Sequence, residues 1–384
     1  MEKENNRGGK SAGVAFIGEL VEGVRYSFGE PWQLTSESLS AVVPVLRRFD
    51  RDRKYLLIQE IPNDKVSITD SGQINKLNVM LKGSKEPVFV RAGTIFKGQG
   101  TQSRTSGTGM VLEPEKENLV DVFCVHASHG ISVLSGFSTM MDVVPRKIED
   151  VLSSQSRSQG RVWQASAVRG SRSNVTHCPQ CGSPELLQTY EAELVCVQCG
   201  YVIAPDLRSD LTRERTERIR SRAPYIAAFG TGFPELHNPV TRDNLVANLD
   251  EMRKFNERVE EMLSKVPADL RNQVGVVIID SRGVLGLEIF DHPDSWRAFS
   301  RSIVRNYADI LAKERADEGL FSLRTERVPE SIKKFLANAE KLSETTLFKN
   351  RISETKMLSG ELTGEYTIMG SDMIHLVLKR KTTA

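Results

Sequence analysis

Val274-Gly-Val-Val-Ile-Ile-Asp280 and Val284-Leu-Gly-Leu-Glu-Ile-Phe290, joined across Asp280-Ser-Arg-Gly283, are the stretch on which the fold turns. Two runs of β-branched and aliphatic residues flank a short polar turn, and Gly283 is available for a positive φ, so the segment reads as an antiparallel hairpin. Downstream, Asp291-His-Pro293 opens a helix with proline suited to its first turn. Trp296, Phe299, Ile303, Tyr307 and Ile310 then recur at helical spacing as its buried stripe. A short helix around Ile332, Phe335 and Leu336 precedes strands near Tyr366 and at Met373 to Lys379. Upstream of the hairpin, Leu249, Met252, Val259, Met262, Leu263 and Val266 trace another helix, which Pro267 ends.

The first 145 residues read as mainly β. Apolar runs from Leu39 to Leu46 and Tyr55 to Ile61 are separated by the charged turn Arg51-Asp-Arg-Lys54. In Ile74 to Leu81 the odd positions from Leu77 onward form one core face. Pro87-Val-Phe-Val-Arg91 and Leu119 to His126 extend the theme. Ser153-Ser-Gln-Ser-Arg-Ser-Gln-Gly160 reads as a loop or a polar helix end. The expected fold is therefore α+β, a mainly antiparallel β body with a few packed helices, interrupted by a small four-cysteine zinc ribbon. Residues 1–13 form a disordered leader, 14–175 the first part of the body, 176–205 the inserted ribbon and 206–384 the second part of the body.

Composition narrows the function classes. With 52 Lys+Arg against 50 Asp+Glu, a uniformly basic nucleic-acid coat is excluded, and any basic patch must be local. Five cysteines in 384 residues are too few for a disulfide scaffold. The polar start and the short first apolar run, Val14-Ala-Phe-Ile17, fit neither a signal peptide nor a membrane span, so the expected compartment is the cytoplasm.

Four of the cysteines sit in one stretch, as Cys178-Pro-Gln-Cys181-Gly182 and Cys196-Val-Gln-Cys199-Gly200, two Cys-x-x-Cys pairs 14 residues apart. Thiolates three positions apart reach one metal, and four of them close a tetrahedron. Cys178, Cys181, Cys196 and Cys199 are thus expected to hold one structural zinc per chain, with no coordination position left for substrate. The module resembles the zinc ribbon of the transcription factor IIB and ribosomal-protein kind, with β arms at Leu186 to Tyr190 and Glu193 to Cys196 and with Tyr201-Val-Ile203 after the second pair. That resemblance implies docking on nucleic acid or protein.

Between Ile148 and Arg253 every cation is arginine. Arg157, Arg161, Arg169 and Arg172 precede the ribbon, and Arg208, Arg213, Arg215, Arg218, Arg220 and Arg222 follow it. Guanidinium groups grip phosphate in bidentate fashion and stack on bases. The alternative is a solvated helix face, since Asp210, Glu214 and Glu217 interleave with the later arginines.

The segment Ala92 to Gly109 is rich in glycine and hydroxyls and carries Lys97 and Arg104, a composition that can cradle phosphate. The formal motifs fail, because Gln99-Gly100 follows Gly98 where a P-loop needs Lys-Ser/Thr, and Ser103 stands where a dinucleotide fingerprint needs glycine. On spacing alone it is a β-hairpin with a mobile connection. Cys124 and His126, two apart on one strand, share a face and can form a thiolate–imidazole pair. The alternative is a buried core cysteine.

Taken in order, Asn78-Val, Pro87 to Gly93, Lys97-Gly-Gln-Gly-Thr-Gln102-Ser-Arg104, Val122-Phe-Cys-Val125, Gln159-Gly-Arg-Val-Trp163, Val274-Gly-Val-Val277, Phe290-Asp291, Tyr307 and Met373 to Leu376 resemble the first type of ARG and Rhodanese-Phosphatase-superfamily-associated protein domain. His126 stands where that family has glutamate, so a carboxylate role does not carry over to that position. The resemblance implies a ligand related to ADP-ribose or a nucleotide, and Lys97, Gln102, Arg104, His126 and Trp163 would then line its pocket. The reading is a binding protein whose ribbon and flanking arginines contact RNA, DNA or a ribonucleoprotein. The alternatives are an enzyme acting on an ADP-ribose-like or phosphorylated substrate at the Gly-rich turn and Cys124/His126, and a protein-docking adaptor that uses the ribbon.

Overall fold

A computed structural model describes residues 12–33, 40–73, 75–98, 104–124, 137–144, 146–166, 186–188, 194–196, 202–203, 264, 270–311 and 327–381. In chain order a helix α1 (Ala12–Glu22) leads into β1 (Tyr26–Phe28), β2 (Trp32–Gln33) and β3 (Ala41–Arg47). Then come β4 (Leu56–Leu57), β5 (Val66–Asp70), β6 (Lys76–Leu81), β7 (Val88–Val90), β8 (Thr94–Gly98), β9 (Arg104–Ser106), β10 (Met110–Leu112), β11 (Glu117–Cys124) and β12 (Phe137–Val143). Helices α2 (Arg146–Leu152) and α3 (Gln159–Ser166) follow, and after them three short strands, β13 (Leu186–Gln188), β14 (Leu194–Cys196) and β15 (Val202–Ile203). The last third holds the hairpin β16 (Gln273–Asp280) and β17 (Gly283–Phe290), α4 (Pro293–Leu311), α5 (Val328–Ala339) and four strands, β18 (Ser343–Lys349), β19 (Ser353–Ser359), β20 (Leu362–Met369) and β21 (Asp372–Arg380).

The hairpin lies in a nine-stranded sheet ordered β1-β3-β16-β17-β21-β20-β19-β18, with β2 also on β3. Gly283 takes the expected positive φ, +109°, at its turn. Every residue of β16 is buried, because the sheet is covered on both faces. On one face α4 packs Trp296, Phe299 and Ile303 against Val276, Ile278 and Phe290, with Tyr55, Phe89 and Val111 joining from other strands. On the other, Ile17 and Leu20 of α1 and Ile332, Phe335 and Leu336 of α5 cover Val277, Ile279, Leu287 and Leu376. Double coverage explains why the two runs are apolar without strict alternation.

A six-stranded antiparallel sheet, β12-β8-β9-β11-β6-β5, and a three-stranded one, β10-β7-β4, enclose a third core. There the odd positions Leu77, Val79 and Leu81 all point inward, as the alternation requires. Among the described strand pairs only β4 with β7 is parallel. The α+β, mainly antiparallel architecture is therefore as expected, and none of the described helices is long and apolar enough to cross a membrane.

Local departures have local causes. Tyr55 to Ile61 is not one strand: after Leu57 the chain turns through a single 3₁₀ turn, Ile58–Glu60, because the Glu60 carboxylate accepts a hydrogen bond from the Leu57 amide at 2.7 Å. The polar stretch around Ser153 joins two short helices, α2 and α3, which bury Ile148, Leu152 and Val162 against Ile95 and Val144. Helix α1 takes in Ala12 and Gly13, the last two residues assigned to the leader. The helix expected from Leu249 to Val266 lies outside the described residues, apart from Ser264.

Gly286 in β17 faces the Tyr307 ring so closely that a Cβ there would sit 2.1 Å from its hydroxyl oxygen. Gly286→Ala must therefore displace α4 from the sheet, and overpacking of this kind costs about 1–3 kcal/mol. The urea unfolding midpoint is expected to fall, and a midpoint equal to that of the parent chain would contradict this packing.

Candidate functional site

The residues singled out around the Gly-rich segment are partly assembled, but inward. β8 and β9 pair as a hairpin with Phe96 opposite Arg104, and Arg104 in turn stands opposite Cys124 of β11. Lys97 is half-buried on β8. Gln102 and His126 lie outside the described residues, as do Arg169, Arg172, Arg208, Arg213, Arg215, Arg218, Arg220 and Arg222. Trp163 falls on α3.

Arg104 is not on a pocket wall. Its side chain is fully enclosed and donates to Asp70 at 2.7 Å, both groups having no exposed surface. Its guanidinium lies 5.9 Å from the Phe137 ring. Aspartate at the end of β5 thus anchors the arginine inside the six-stranded sheet.

The Cys124 thiol is buried. Burial pushes it up from the ordinary thiol value, Arg104 opposes that shift, and Asp70 adds to it. The protonated form of a buried thiol is a small hydrophobe, not a nucleophile. The backbone of Cys124 is gripped instead: its N–H donates to Gln159 Oε1 at 2.8 Å, and its carbonyl accepts from Gln159 Nε2. The side-chain amide takes the place of a neighbouring strand, which accounts for the glutamine that opens Gln159-Gly-Arg-Val-Trp163.

Sequence reasoning passed over the densest chemistry, a set of buried charges where the nine-stranded sheet meets β7 and α2. Arg91, just after β7, forks onto Glu288 of β17 with Nε–Oε1 2.6 Å and Nη2–Oε2 2.9 Å, and its Nη2 also donates to Glu149 of α2 at 2.8 Å. His375 Nε2 lies 3.0 Å from Glu288 Oε1, and Lys379 Nζ donates to Glu149 Oε2 at 3.1 Å. Burial pushes the Glu288 carboxyl up, but Arg91 and His375 outweigh it and hold it well below the usual carboxylate range. Glu149 is also lowered, since Lys379 and Arg91 overcome its burial and the repulsion from Glu288. One signal was present in the sequence: Glu288 interrupts an otherwise apolar strand, and a carboxylate there has to find a cation.

A second cluster sits at the start of α4. The Tyr55 hydroxyl donates to Asp291 Oδ1 at 2.5 Å and lies 2.9 Å from Ser295 Oγ, while Arg47 Nη1 donates to the Asp291 carbonyl oxygen at 3.1 Å. Burial raises the Asp291 carboxyl to about 6 against the opposing pull of Tyr55, Arg51 and Arg47. His292 beside it is lowered by burial, and Asp294 works against that. These groups tie the loop before β4 to α4.

The strands β13, β14 and β15 form an antiparallel meander at the positions expected for the ribbon arms. Cys196 ends β14, and Cys178, Cys181 and Cys199 lie outside the described residues. Among the described residues there is no group of three or more His, Cys, Asp or Glu placed to hold a metal.

Fold and site together define a mainly antiparallel α+β protein with a buried ionic centre. The chain belongs to the family of the ARG and Rhodanese-Phosphatase-superfamily-associated Protein domain, whose model matches residues 25–196 and 233–379. The break in that match, between 197 and 232, begins inside the cysteine stretch, so Cys178, Cys181 and Cys196 lie within the matched part and Cys199 beyond it. No curated protein and no solved structure matches the chain.

Removing one partner of a buried pair leaves an uncompensated charge, which costs about 3–5 kcal/mol. Glu288→Ala is accordingly expected to lower the unfolding free energy by that order, read by urea titration, and an unchanged midpoint would rule out the network as a stabilising centre. For Asp291 the folded carboxyl titrates near 6 against an ordinary value near 4, so the folded state binds the extra proton between those values. Stability contributed by the protonated form is fully present below pH ~4 and lost as pH rises through ~6, by about 3 kcal/mol in all. Asp291→Asn, which keeps an oxygen for Tyr55, is expected to flatten that part of the pH–stability curve; a curve of the same slope would refute the assignment.

Proposed function

We propose that this protein is a zinc-ribbon binding protein. The ribbon, with the arginines on either side, contacts RNA, DNA or a ribonucleoprotein, and the β body holds it in place. The observation that carries the reading is the register of the meander. Leu186 stands opposite Cys196, so the start of β13, five residues after Cys181, lies at the same end as the second Cys-x-x-Cys pair. Four thiolates on one zinc require both pairs at one end of such a meander, and the register of Leu186 against Cys196 is compatible with that. All four ligand positions are then protein, which leaves the metal a structural role.

The body supports a binding function more than a catalytic one. Arg104 is paired to Asp70 inside the sheet, and Cys124 is enclosed with its thiol pushed toward the protonated form. Neither side chain has exposed surface. Arg157 is likewise taken up by structure, donating from Nη1 to the Gly107 carbonyl at 2.9 Å, while Arg161 is exposed. Nucleic-acid contact therefore rests on Arg161 and the arginines from Arg169 onward.

The test has two arms on the full chain. Elemental analysis of protein purified without chelator is expected to give one zinc per chain, falling to none in Cys178→Ser/Cys181→Ser; metal-free protein from the parent chain would defeat the ribbon reading. Binding to single- and double-stranded RNA and DNA is expected to weaken steeply with salt, as phosphate contacts dictate. Replacing Arg213, Arg215, Arg218, Arg220 and Arg222 by alanine should lower the salt slope. Zinc present without nucleic-acid retention at low salt would instead favour docking on a protein.

A further inference from the structure

Strand β18 closes one end of the nine-stranded sheet and, among the described residues, pairs with β19 alone. Along its seven residues, Ser343-Glu-Thr-Thr-Leu-Phe-Lys349, Ser343, Thr345, Thr346 and Lys349 are exposed. An edge of this kind presents a row of backbone donors and acceptors that a further strand can take up. The opposite edge of the sheet is short, three residues in β1 and two in β2. In the six-stranded sheet the two outer strands, β5 and β12, approach each other. β18 is thus the longest open edge among the described strands.

Its charges and faces select the strand that fits. Lysines and bulges deter indiscriminate edge pairing, and β18 carries both, Lys349 and a register break between Thr346 and Phe348. A strand whose pattern matches is still admitted. Glu344 stands opposite Leu358, Thr346 opposite Lys356 and Lys349 opposite Glu354, so all three share the face on which Leu358 meets the core under α1 and α5. Thr345 and Phe348 take the other face, where Phe348 packs against the core of the six-stranded sheet. Directly opposed residues of an antiparallel pair lie on one face. A two-fold axis between Thr346 and Leu347 meets that demand when β18 pairs with itself: Glu344 opposes Lys349, and Thr345 opposes Phe348. An axis through Thr346 would instead set Glu344 against Phe348, on opposite faces. The charges then continue a pattern already present, since Glu344 lies 3.2 Å from Lys356 and Lys349 3.8 Å from Glu354 within one chain. Across the junction the row reads Glu354, Lys349, Glu344, Lys356, alternating in sign, and the axis produces it twice.

We propose that β18 is a homodimer interface, pairing antiparallel with β18 of a second copy of this chain in the register that sets Glu344 against the second copy's Lys349. The two large sheets then run on as one. The interface lies apart from the ribbon and stands or falls independently of nucleic-acid binding.

The experiment is sedimentation equilibrium of the full chain, with thermal unfolding to confirm that each variant is folded. The parent chain is expected to form a dimer that weakens with salt. Lys349→Glu places like charges at both ends of the junction and should raise the dissociation constant about tenfold or more. Glu344→Lys should do the same. An equimolar mixture of the two variants restores opposite charges at both ends, so it should dimerise although neither variant does so alone. Lys349 is 68% exposed, so Lys349→Glu keeps the fold and carries the test by itself if Glu344→Lys unfolds. A monomeric parent chain overturns the proposal and leaves the edge to a strand of another protein. A dimer indifferent to Lys349→Glu overturns it too, as does a mixture of folded variants that stays monomeric.

Discussion

The Arg91 guanidinium is the constraint around which the body is built. It leaves the end of β7, forks onto Glu288 in the middle of the nine-stranded sheet and reaches Glu149 on α2. Three elements far apart in sequence meet on five N–H donors of fixed geometry, and none of the three can shift without stranding a charge away from water. The apolar clusters on either side supply the driving force for collapse. They are indifferent to small sliding motions, whereas a bidentate ion pair is not, so the network sets the register in which β7 and α2 sit against the large sheet.

The same logic explains why residues with a catalytic look are spent on structure. A buried polar group needs a partner, and Arg104, Asp70, Tyr55, Asp291 and Ser295 are all consumed in pairing with one another inside the body. The pairings at Asp291 and at Glu288 leave perturbed groups behind. The raised Asp291 carboxyl and the lowered Glu288 carboxyl are consequences of enclosure and partnership, in the order that desolvation and neighbouring charge dictate.

Much of the architecture was legible in the residues. Alternation at Leu77, Val79 and Leu81, the helical stripe from Trp296 to Tyr307 and the turn glycine at 283 each carry a period or a φ demand that belongs to one element alone. What could not be read was long-range. Strands β18 and β19 are half polar and lack a clean alternation, because β18 is an exposed sheet edge. Helices α2 and α3 are too short for periodicity to declare them. The ion pairs were invisible for another reason: Arg91 and Glu288 are 197 residues apart, and a charge carries no mark of which distant partner it will meet. The order of motifs from Asn78 to Leu376 signalled the family correctly while saying nothing of which way Arg104 points.

The Gln159 clamp has a mechanical consequence. Helix α3 is the last described helix before β13, and its first residue holds the Cys124 backbone at both its N–H and its carbonyl. A pull on α3 passes to an amide that grips one residue at two points. The two bonds hold the same residue from both sides, and together they make the base of α3 a fixed pivot at the end of β11.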